Sequence, residues 1–592
     1  MNNITTTLGV QVMQMAFSWY DYMFFGLLLG VSVLIGLYFG CFGNQQSTQD
    51  EYLFASKRMK VFPVSISLIA SHVSGIALLA IPADAYHHGA NLAWILVAAP
   101  GVTWITAYVF LPIFYELKIS SSYEYLEKRF DARTRTFASI LFDISMFLYL
   151  PIVIYIPALA FSIVTGLNIH FISSIVCAVC IFYTTIGGVK AVIWSDTLQF
   201  IVTIGSTIAI FILGVKATNG FADIIDTSVK GHRLDLFDFN LDPTRRDGFW
   251  SVFFGYGTFW LFHGVANQSC VQKYLTVPTL KKGQMTVVIF FSGWIIITAL
   301  SLFTGLIMYA KYENCDPFSA GTVKAPDGLL PYYVMDVAGH IPGLSGLFIA
   351  GIFSAALSTL SATLNCLAGT IYEDIICKVA KIEYNSKSGS GVLKIIVVVI
   401  GIGCTLMVVI IEKLGGLFAL AQSFLGVTAG PLLSLFVMGA LMPMINKKGA
   451  FYGAFVATLV QGVVAGLTQY YKAQGRLKYT PKPFNSDECP LLYTSNFENF
   501  NESQIFVDAE ELPFYLFRIT HYYYAAFSLI IAVVVAMIVS YFTKHDSKPV
   551  PRKLLSPIIR FLVNDCDLPT YGSIEKPFTD SVRVINEEET KI

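Results

Sequence analysis

Ser358 and Thr359 place adjacent hydroxyls inside the run Ser354-Ala355-Ala356-Leu357-Ser358-Thr359-Leu360-Ser361. Hydroxyl oxygens and free backbone carbonyls suit a hard monovalent cation such as sodium, which takes oxygen donors and needs no soft ligand. Alternatively, each hydroxyl bonds the carbonyl four residues back and does nothing else. A second polar cluster interrupts an apolar stretch at Ser65-Ile66-Ser67-Leu68-Ile69-Ala70-Ser71-His72-Val73-Ser74-Gly75. A third segment, Phe254-Gly255-Tyr256-Gly257-Thr258, carries Gly on both sides of Tyr256, which weakens a helix there. Helices unwound near a membrane midplane expose carbonyls that hold cations, so these two segments are expected to be helix breaks. Plain close packing by small residues is the competing explanation.

Asp196 lies a turn or two inside a long apolar segment, where a carboxylate is costly and is a functional candidate by default. A salt bridge to a basic inner loop would also account for it. Asp143 is shallower and fits a structural or a functional role equally. His72 is the one imidazole near a presumed midplane, and fits a solute cavity, proton coupling or a satisfied helix contact.

These residues need a membrane to act in. The chain has 592 residues, 55% hydrophobic and 13% charged, with Lys+Arg 39 balanced by Asp+Glu 39. Disorder requires low hydrophobicity and high net charge. Nucleic-acid binding leaves a basic patch, and none is expected here. Ten Cys are too dilute for a disulfide scaffold. There is no phosphate loop of the Walker type and no metal-ligand His/Cys cluster, so neither an ATP-driven pump nor an enzyme is expected. A bilayer core takes about 20 apolar residues per helix. Thirteen spans are expected, at 19–42, 62–85, 91–114, 136–164, 168–187, 190–217, 250–270, 284–310, 343–375, 394–414, 416–440, 449–470 and 521–543.

Basic residues in short loops set the orientation. Lys57, Arg58 and Lys60, then Lys118, Lys128, Arg129, Arg133 and Arg135, fall on one side of the thirteen spans. So do Lys273, Lys281 and Lys282, then Lys378, Lys381 and Lys387, then Lys447 and Lys448. This places the N-terminus outside and the tail inside. No Lys or Arg is expected deep in any span, with Lys273 counted among the inner loop residues. The long outer loops are 218–249, 311–342 and 471–520. Asn3 and Asn501 head glycosylation tripeptides on the outer side. Asn267-Gln268-Ser269 has the same pattern but lies at an inner span end. Cys315 and Cys489 both fall in outer loops, where an oxidising compartment would allow them to pair.

The run Gly187-Gly188-x-x-Ala191-Val192-x-Trp194-x-Asp196-x-x-Gln199 resembles a signature of the sodium/solute symporters, solute carrier family five. Asn267-Gln268-x-x-Val271-Gln272-x-Tyr274-Leu275 does too. Three stretches are similar to the branch of monocarboxylate, multivitamin and iodide transporters: Pro82-Ala83-Asp84-Ala85-Tyr86-His87-His88-Gly89, Ile152 to Leu159, and Gly426-x-x-x-Gly430-Pro431-Leu432-Leu433.

The resemblance implies an all-α, five-plus-five inverted-repeat fold with one helix before the repeats and two after. The segments would be an outer N-terminus 1–18, a leading helix 19–42, repeats 62–217 and 250–440, two helices over 449–543, and a cytoplasmic tail 544–592. It also implies a sodium site of carbonyls from Ala70, Val73 and Ala355 with hydroxyls from Ser358 and Thr359. Asp196 matches the acidic position that serves a second sodium in relatives carrying two ions. Solute is expected near His72, Ser74, Tyr155, Tyr256 and Gln268.

Three departures from the family pattern stand out: Tyr86-His87 where the branch commonly has Tyr-Arg, His72 where relatives have Phe or Asn, and Ala77 where sugar carriers have His. The expected activity is sodium-coupled import of a small organic anion, monocarboxylate or vitamin-like, at the plasma membrane. Sodium is the coupling ion, the bilayer the one other partner implied, and no cofactor is expected. A sugar, polyol or iodide-like anion on the same fold, or a solute sensor, are the alternatives.

Overall fold

A computed structural model of the chain describes residues 17–42, 53, 57–119, 121–323, 328–377, 389–412, 417–477, 479, 481–485, 489, 513–543 and 550–562. Asn3 and Asn501 lie outside the described residues. Among the described residues the regular structure is helical throughout. The helices that matter here are α1 (Trp19–Leu37), α2 (Val61–His72), α3 (Gly75–His88), α4 (Ala132–Thr165), α5 (Ile169–Ala217), α6 (Gly257–Val265), α7 (Gln268–Tyr274), α8 (Leu280–Lys311) and α9 (Leu344–Thr370). They are followed by α10 (Gly389–Ile411), α11 (Leu417–Leu441), α12 (Lys447–Ala473) and α13 (Tyr524–Phe542).

Among the described residues ten helical segments are long and apolar enough to cross a bilayer, and eleven if the bent pair α2–α3 is one span. The difference from thirteen arises in two places. α5 runs for 49 residues with one non-helical residue inside, Gly188, at φ 53 and ψ −159. At about 1.5 Å per residue it is more than twice a hydrocarbon core of about 30 Å, so the kink divides it into two lengths that can each cross. The seventh expected span is built from short pieces: a π-helical turn over Ser251–Tyr256, then α6, then α7. Each piece is too short to count alone.

Gly188 takes a backbone conformation that a Cβ resists. Gly188→Ala is therefore expected to destabilise the fold by about 1–3 kcal/mol. A lowered thermal midpoint of the purified protein in detergent would register it, and an unchanged midpoint would refute the strain.

α9 is the central helix, with 94% of its apolar window buried. It packs against α5, α4, α1 and α2. α1 is fixed to it by Asp21, whose Oδ2 accepts from Ser18 N at 2.7 Å and whose Oδ1 accepts from Gly346 N at 2.8 Å. α2 and α3 meet at 56°. Val73 leaves the helical region at φ −90, ψ 76. Ser74 then starts α3, its Oγ accepting from Ala77 N at 3.4 Å. Serine is a strong helix N-cap, so the polar cluster stops one helix and opens the next.

Candidate functional site

The end of α2 faces the middle of α9. Thr359 Oγ1 lies 3.0 Å from the carbonyl of Ser71 and 3.0 Å from that of Ala355, and its one proton serves both. Ser71 Oγ is 3.3 Å from Ser358 Oγ. A helix's last carbonyls have no N–H of their own helix to accept from. Ala70 and Val73, the other residues expected to give carbonyls, stand at this same end of α2, and Ala355, Ser358 and Thr359 stand on the facing part of α9. All five residues are buried. Such a seam of neutral oxygens can strip a small hard cation of its water.

Beside the seam lies a charge that was not expected. Lys273, on α7, is buried, not in a solvated inner loop. Its Nζ donates to Ser71 Oγ at 2.6 Å, Ser67 Oγ at 2.7 Å, Ser67 O at 3.1 Å and Asp196 Oδ2 at 3.1 Å. The expectation that no basic residue enters the bundle is thus corrected. The reason is electrostatic: a buried carboxylate needs a partner, and Asp196 is fully buried. Asp196 Oδ2 also accepts from Ser67 Oγ at 2.6 Å and Ser71 Oγ at 3.3 Å. Asp143 makes a different contact, accepting from Thr370 Oγ1 at 2.5 Å.

The seventh span breaks at Asn267, not at the glycines around Tyr256. Asn267 sits at φ −72, ψ 111, and its Oδ1 accepts from Ser269 N at 3.0 Å to start α7. Gly255 serves close packing instead, because a Cβ there would lie 2.6 Å from the carbonyl oxygen of Tyr522. Only the π-helical turn marks the Tyr256 region as irregular.

Between the two breaks is a cavity of about 80 Å³. Its polar lining includes Ser71, His72, Ser74, His263, Asn267 and Thr359. Its aromatic wall includes Tyr256, Phe259, Trp260 and Trp294, with the Trp260 and Trp294 rings 3.8 Å apart. His72 Nδ1 faces Leu68 O at 3.0 Å, which makes that nitrogen the donor and leaves Nε2 the lone pair, 3.0 Å from Cys270 Sγ. Two expected solute residues are elsewhere. Tyr155 is buried in α4 and is not among the lining residues. Gln268 turns away, its Oε1 accepting from Ser122 N at 2.8 Å and Ser122 Oγ at 2.6 Å. His263 and Asn267, 3.1 Å apart, line the cavity instead. The signal in the sequence is their spacing: four residues apart, immediately before a polar run.

Next to it Tyr522, His521 and Gln422 cluster with Tyr256 and Phe259, and Gln422 also lines the cavity. Beyond them Arg246 pairs with Asp84 of α3, and its Nη1 lies 3.4 Å from Asp247 Oδ2. Burial opposes the charge on Arg246, but Asp247 and Asp84 outweigh it and hold the guanidinium above its ordinary value. Burial pushes the Asp247 carboxyl up, against the pull of Arg246. A strap crosses this end: Lys482 N donates to His87 O at 2.9 Å, and Cys315 and Cys489 are joined in a disulfide. At the opposite end of the bundle Arg135 binds Asp374 (2.6 Å), Glu127 (2.8 Å) and Glu373 (3.2 Å), tying α4 to the turn after α9.

A profile of the Sodium:solute symporter family matches residues 52–457. The chain is 34% identical over 546 residues to the sodium-coupled monocarboxylate transporter 2 of Mus musculus, covering 92% of this chain and 87% of that protein. It is 36% identical over 500 residues to the sodium-coupled monocarboxylate transporter 1 of Homo sapiens, covering 84% and 80%. Its fold matches the solved structure of a substrate-bound, outward-open Na+-coupled sialic acid symporter with a TM-score of 0.72 at 22% identity, covering 90% of this chain and 99% of that one. The chain belongs to the Sodium:solute symporter family: it is a multi-pass, Na+-coupled solute symporter and not an enzyme.

Proposed function

We propose that the chain imports a short-chain monocarboxylate together with sodium across the plasma membrane. The cavity carries this reading. A buried water needs about 10–15 Å³ of such space, so 80 Å³ admits about five to eight water-sized groups. That is the scale of a small solute. Vitamin-like carboxylates are larger again.

The walls support an anionic solute. Ser74, Ile76 and Ala77 of the first turn of α3 line the cavity, so the positive end of that helix dipole faces the solute. Among the described lining residues there is no Asp or Glu to repel an anion. The similarity to two sodium-coupled monocarboxylate transporters supports the same solute class.

In this reading the chain crosses thirteen times, N-terminus outside and tail inside, with 62–217 and 250–440 as inverted repeats. Sodium enters first, held by carbonyls of Ala70, Val73 and Ala355 and hydroxyls of Ser358 and Thr359, and fixes the α2–α3 break against α9. Solute binds beside His72, Ser74, Tyr256, His263 and Asn267. By linkage it raises sodium affinity by the factor by which sodium raises its own. Rocking of the bundle then exposes the site to the inside, where low sodium empties it.

The test is uptake of labelled pyruvate, lactate, biotin, pantothenate, iodide, glucose and inositol, each with sodium and with choline in its place. Sodium-dependent uptake of pyruvate or lactate, with little of the larger solutes, is expected. Preference for glucose, inositol or iodide would replace the solute class. No uptake of any, with the protein at the surface, would favour a sensor.

A further inference from the structure

Resting on the sodium site at Ser358 and Thr359, we propose that Asp143 is a way-station for that same ion, occupied as it leaves the cavity toward the inside along the α4–α9 interface. Two helix faces lead from the cavity to Asp143. On α9, Thr359 and Thr363 line the cavity, and Cys366 and Thr370 follow at helical spacing. On α4, Tyr149 and Met146 line the cavity, and Asp143 and Ser139 follow in the same way. The two faces meet. α4 and α9 pack together, Thr370 Oγ1 donates to Asp143 Oδ1 at 2.5 Å, and Ser139 Oγ donates to Asp374 Oδ2. Thr359 and Thr370 are 11 residues apart, about 16 Å along the helix. Past Asp143 the interface ends at Arg135, held by Asp374, Glu127 and Glu373. Asp143 therefore stands between the cavity and the ion-paired end of the bundle.

What Asp143 lacks is a counter-charge. It is 8% exposed, and its hydrogen-bond partner among the described residues is the neutral hydroxyl of Thr370. Its Oδ2 is buried with no hydrogen-bond partner among the described residues. Arg135, about two turns away on the same helix, is already bound to three carboxylates. A carboxylate this deep in a membrane protein is costly and marks an ion path. A passing sodium supplies the missing charge, with Oδ2 and the Thr370 hydroxyl as hard oxygen ligands. The carboxylate attracts the ion away from the neutral oxygens of Ser358 and Thr359, because little water screens the charge. A purely structural Asp143 would need only its bond to Thr370, which an asparagine oxygen accepts equally well.

Asp143→Asn therefore removes the charge and keeps the contact. The first test compares net uptake with exchange, using the full-length chain in reconstituted vesicles. Net sodium-driven pyruvate uptake requires the ion to leave on the inside, and is expected to fall about tenfold. Exchange of inside pyruvate for labelled outside pyruvate, with saturating sodium on both sides, requires no sodium to leave and is expected to stay within about twofold of wild type. Equilibrium binding of labelled sodium in detergent is expected to be unchanged. Asp143→Glu restores the charge and is expected to recover part of the net uptake. Net uptake by a folded Asp143→Asn within about twofold of wild type, or an equal loss of uptake and exchange, would overturn the proposal.

The second arm needs neither a variant at Asp143 nor a known solute. Cys366 is a free, buried thiol one turn before Thr370 on the same face of α9. A cationic thiol reagent applied from the inside is expected to modify it, read by mass spectrometry with Cys366→Ala as the control. Inside sodium is expected to slow that modification. An unmodified Cys366, or modification indifferent to sodium, would overturn the proposal. If Asp143→Asn does not fold, this arm decides alone. Absence of pyruvate transport would reject the solute class and leave this arm to judge the path. Failure of the first sodium site would show separately, as normal sodium dependence in a Ser358→Ala, Thr359→Ala variant.

Discussion

The double variant Ser358→Ala, Thr359→Ala loses sodium-driven uptake at physiological sodium while reaching the cell surface at wild-type levels. Both hydroxyls sit on the α2–α9 seam, and each is a neutral oxygen that a bound sodium would take in place of water. Removing a buried polar partner costs about 1–3 kcal/mol per group. Two such losses at one ion, about 2–6 kcal/mol together, lower sodium affinity by roughly thirtyfold or more, at about 1.4 kcal/mol per tenfold. Thr359 carries a second duty, since its hydroxyl reaches Ser71 O across the helix break at 3.0 Å. Its loss loosens the break as well as the ion. Thr359→Ser keeps the oxygen and removes only a methyl, so it retains most of the uptake. The measurement is the sodium concentration for half-maximal uptake, with surface biotinylation alongside. Normal sodium dependence in the double variant would remove these hydroxyls from the ion site.

Much of this arrangement is legible in the sequence because its causes are local. Apolar runs about twenty residues long mark spans. Hydroxyls in such runs, as at Ser71, Ser74, Ser358 and Thr359, stand out because apolar neighbours surround them. Misreadings came where a distant partner sets the meaning of a residue. Gly255 looks like a helix breaker, but its missing Cβ makes room for the backbone of Tyr522, far away in the chain. The break lies at Asn267, whose side chain caps the following turn. Lys273 precedes Lys281 and Lys282 and reads as one more loop cation. Only the fold brings it to Asp196, 77 residues before it, and to Ser67 and Ser71, over 200 residues before it. Gln268 was expected at the solute, yet helical direction points it at Ser122, leaving His263 and Asn267 on the cavity. Spacing alone could have favoured that pair, because residues four apart share a helix face.

Arg246→Met cuts uptake by a hundredfold or more at equal surface expression, by the following argument. Asp84 is on α3, the second half of the first broken span, and Arg246 lies five residues before the π-helical turn that opens the second. Their pairing fastens α3 to the chain leading into the second broken span, next to the cluster of Tyr522 and Gln422 beside the cavity. Arg246 and Asp84 side chains are 12% and 10% exposed, so the pair is nearly dry. Replacing the guanidinium with an apolar chain of similar length leaves Asp84 and Asp247 buried together without their cation. Breaking a buried pair from one side costs about 3–5 kcal/mol. At about 1.4 kcal/mol per tenfold, that is roughly a hundredfold to a few thousandfold against the closed arrangement. The loss falls on closure, because neither Ser358 nor Thr359, the hydroxyls proposed to hold sodium, is a hydrogen-bond partner of this cluster. Sodium binding measured in detergent is therefore preserved while transport fails. Neutralising the stranded acids in the same background, with Asp84→Asn and Asp247→Asn, removes the buried charges and restores part of the uptake. Uptake by Arg246→Met within twofold of wild type would show that this cluster does not hold the two broken spans closed.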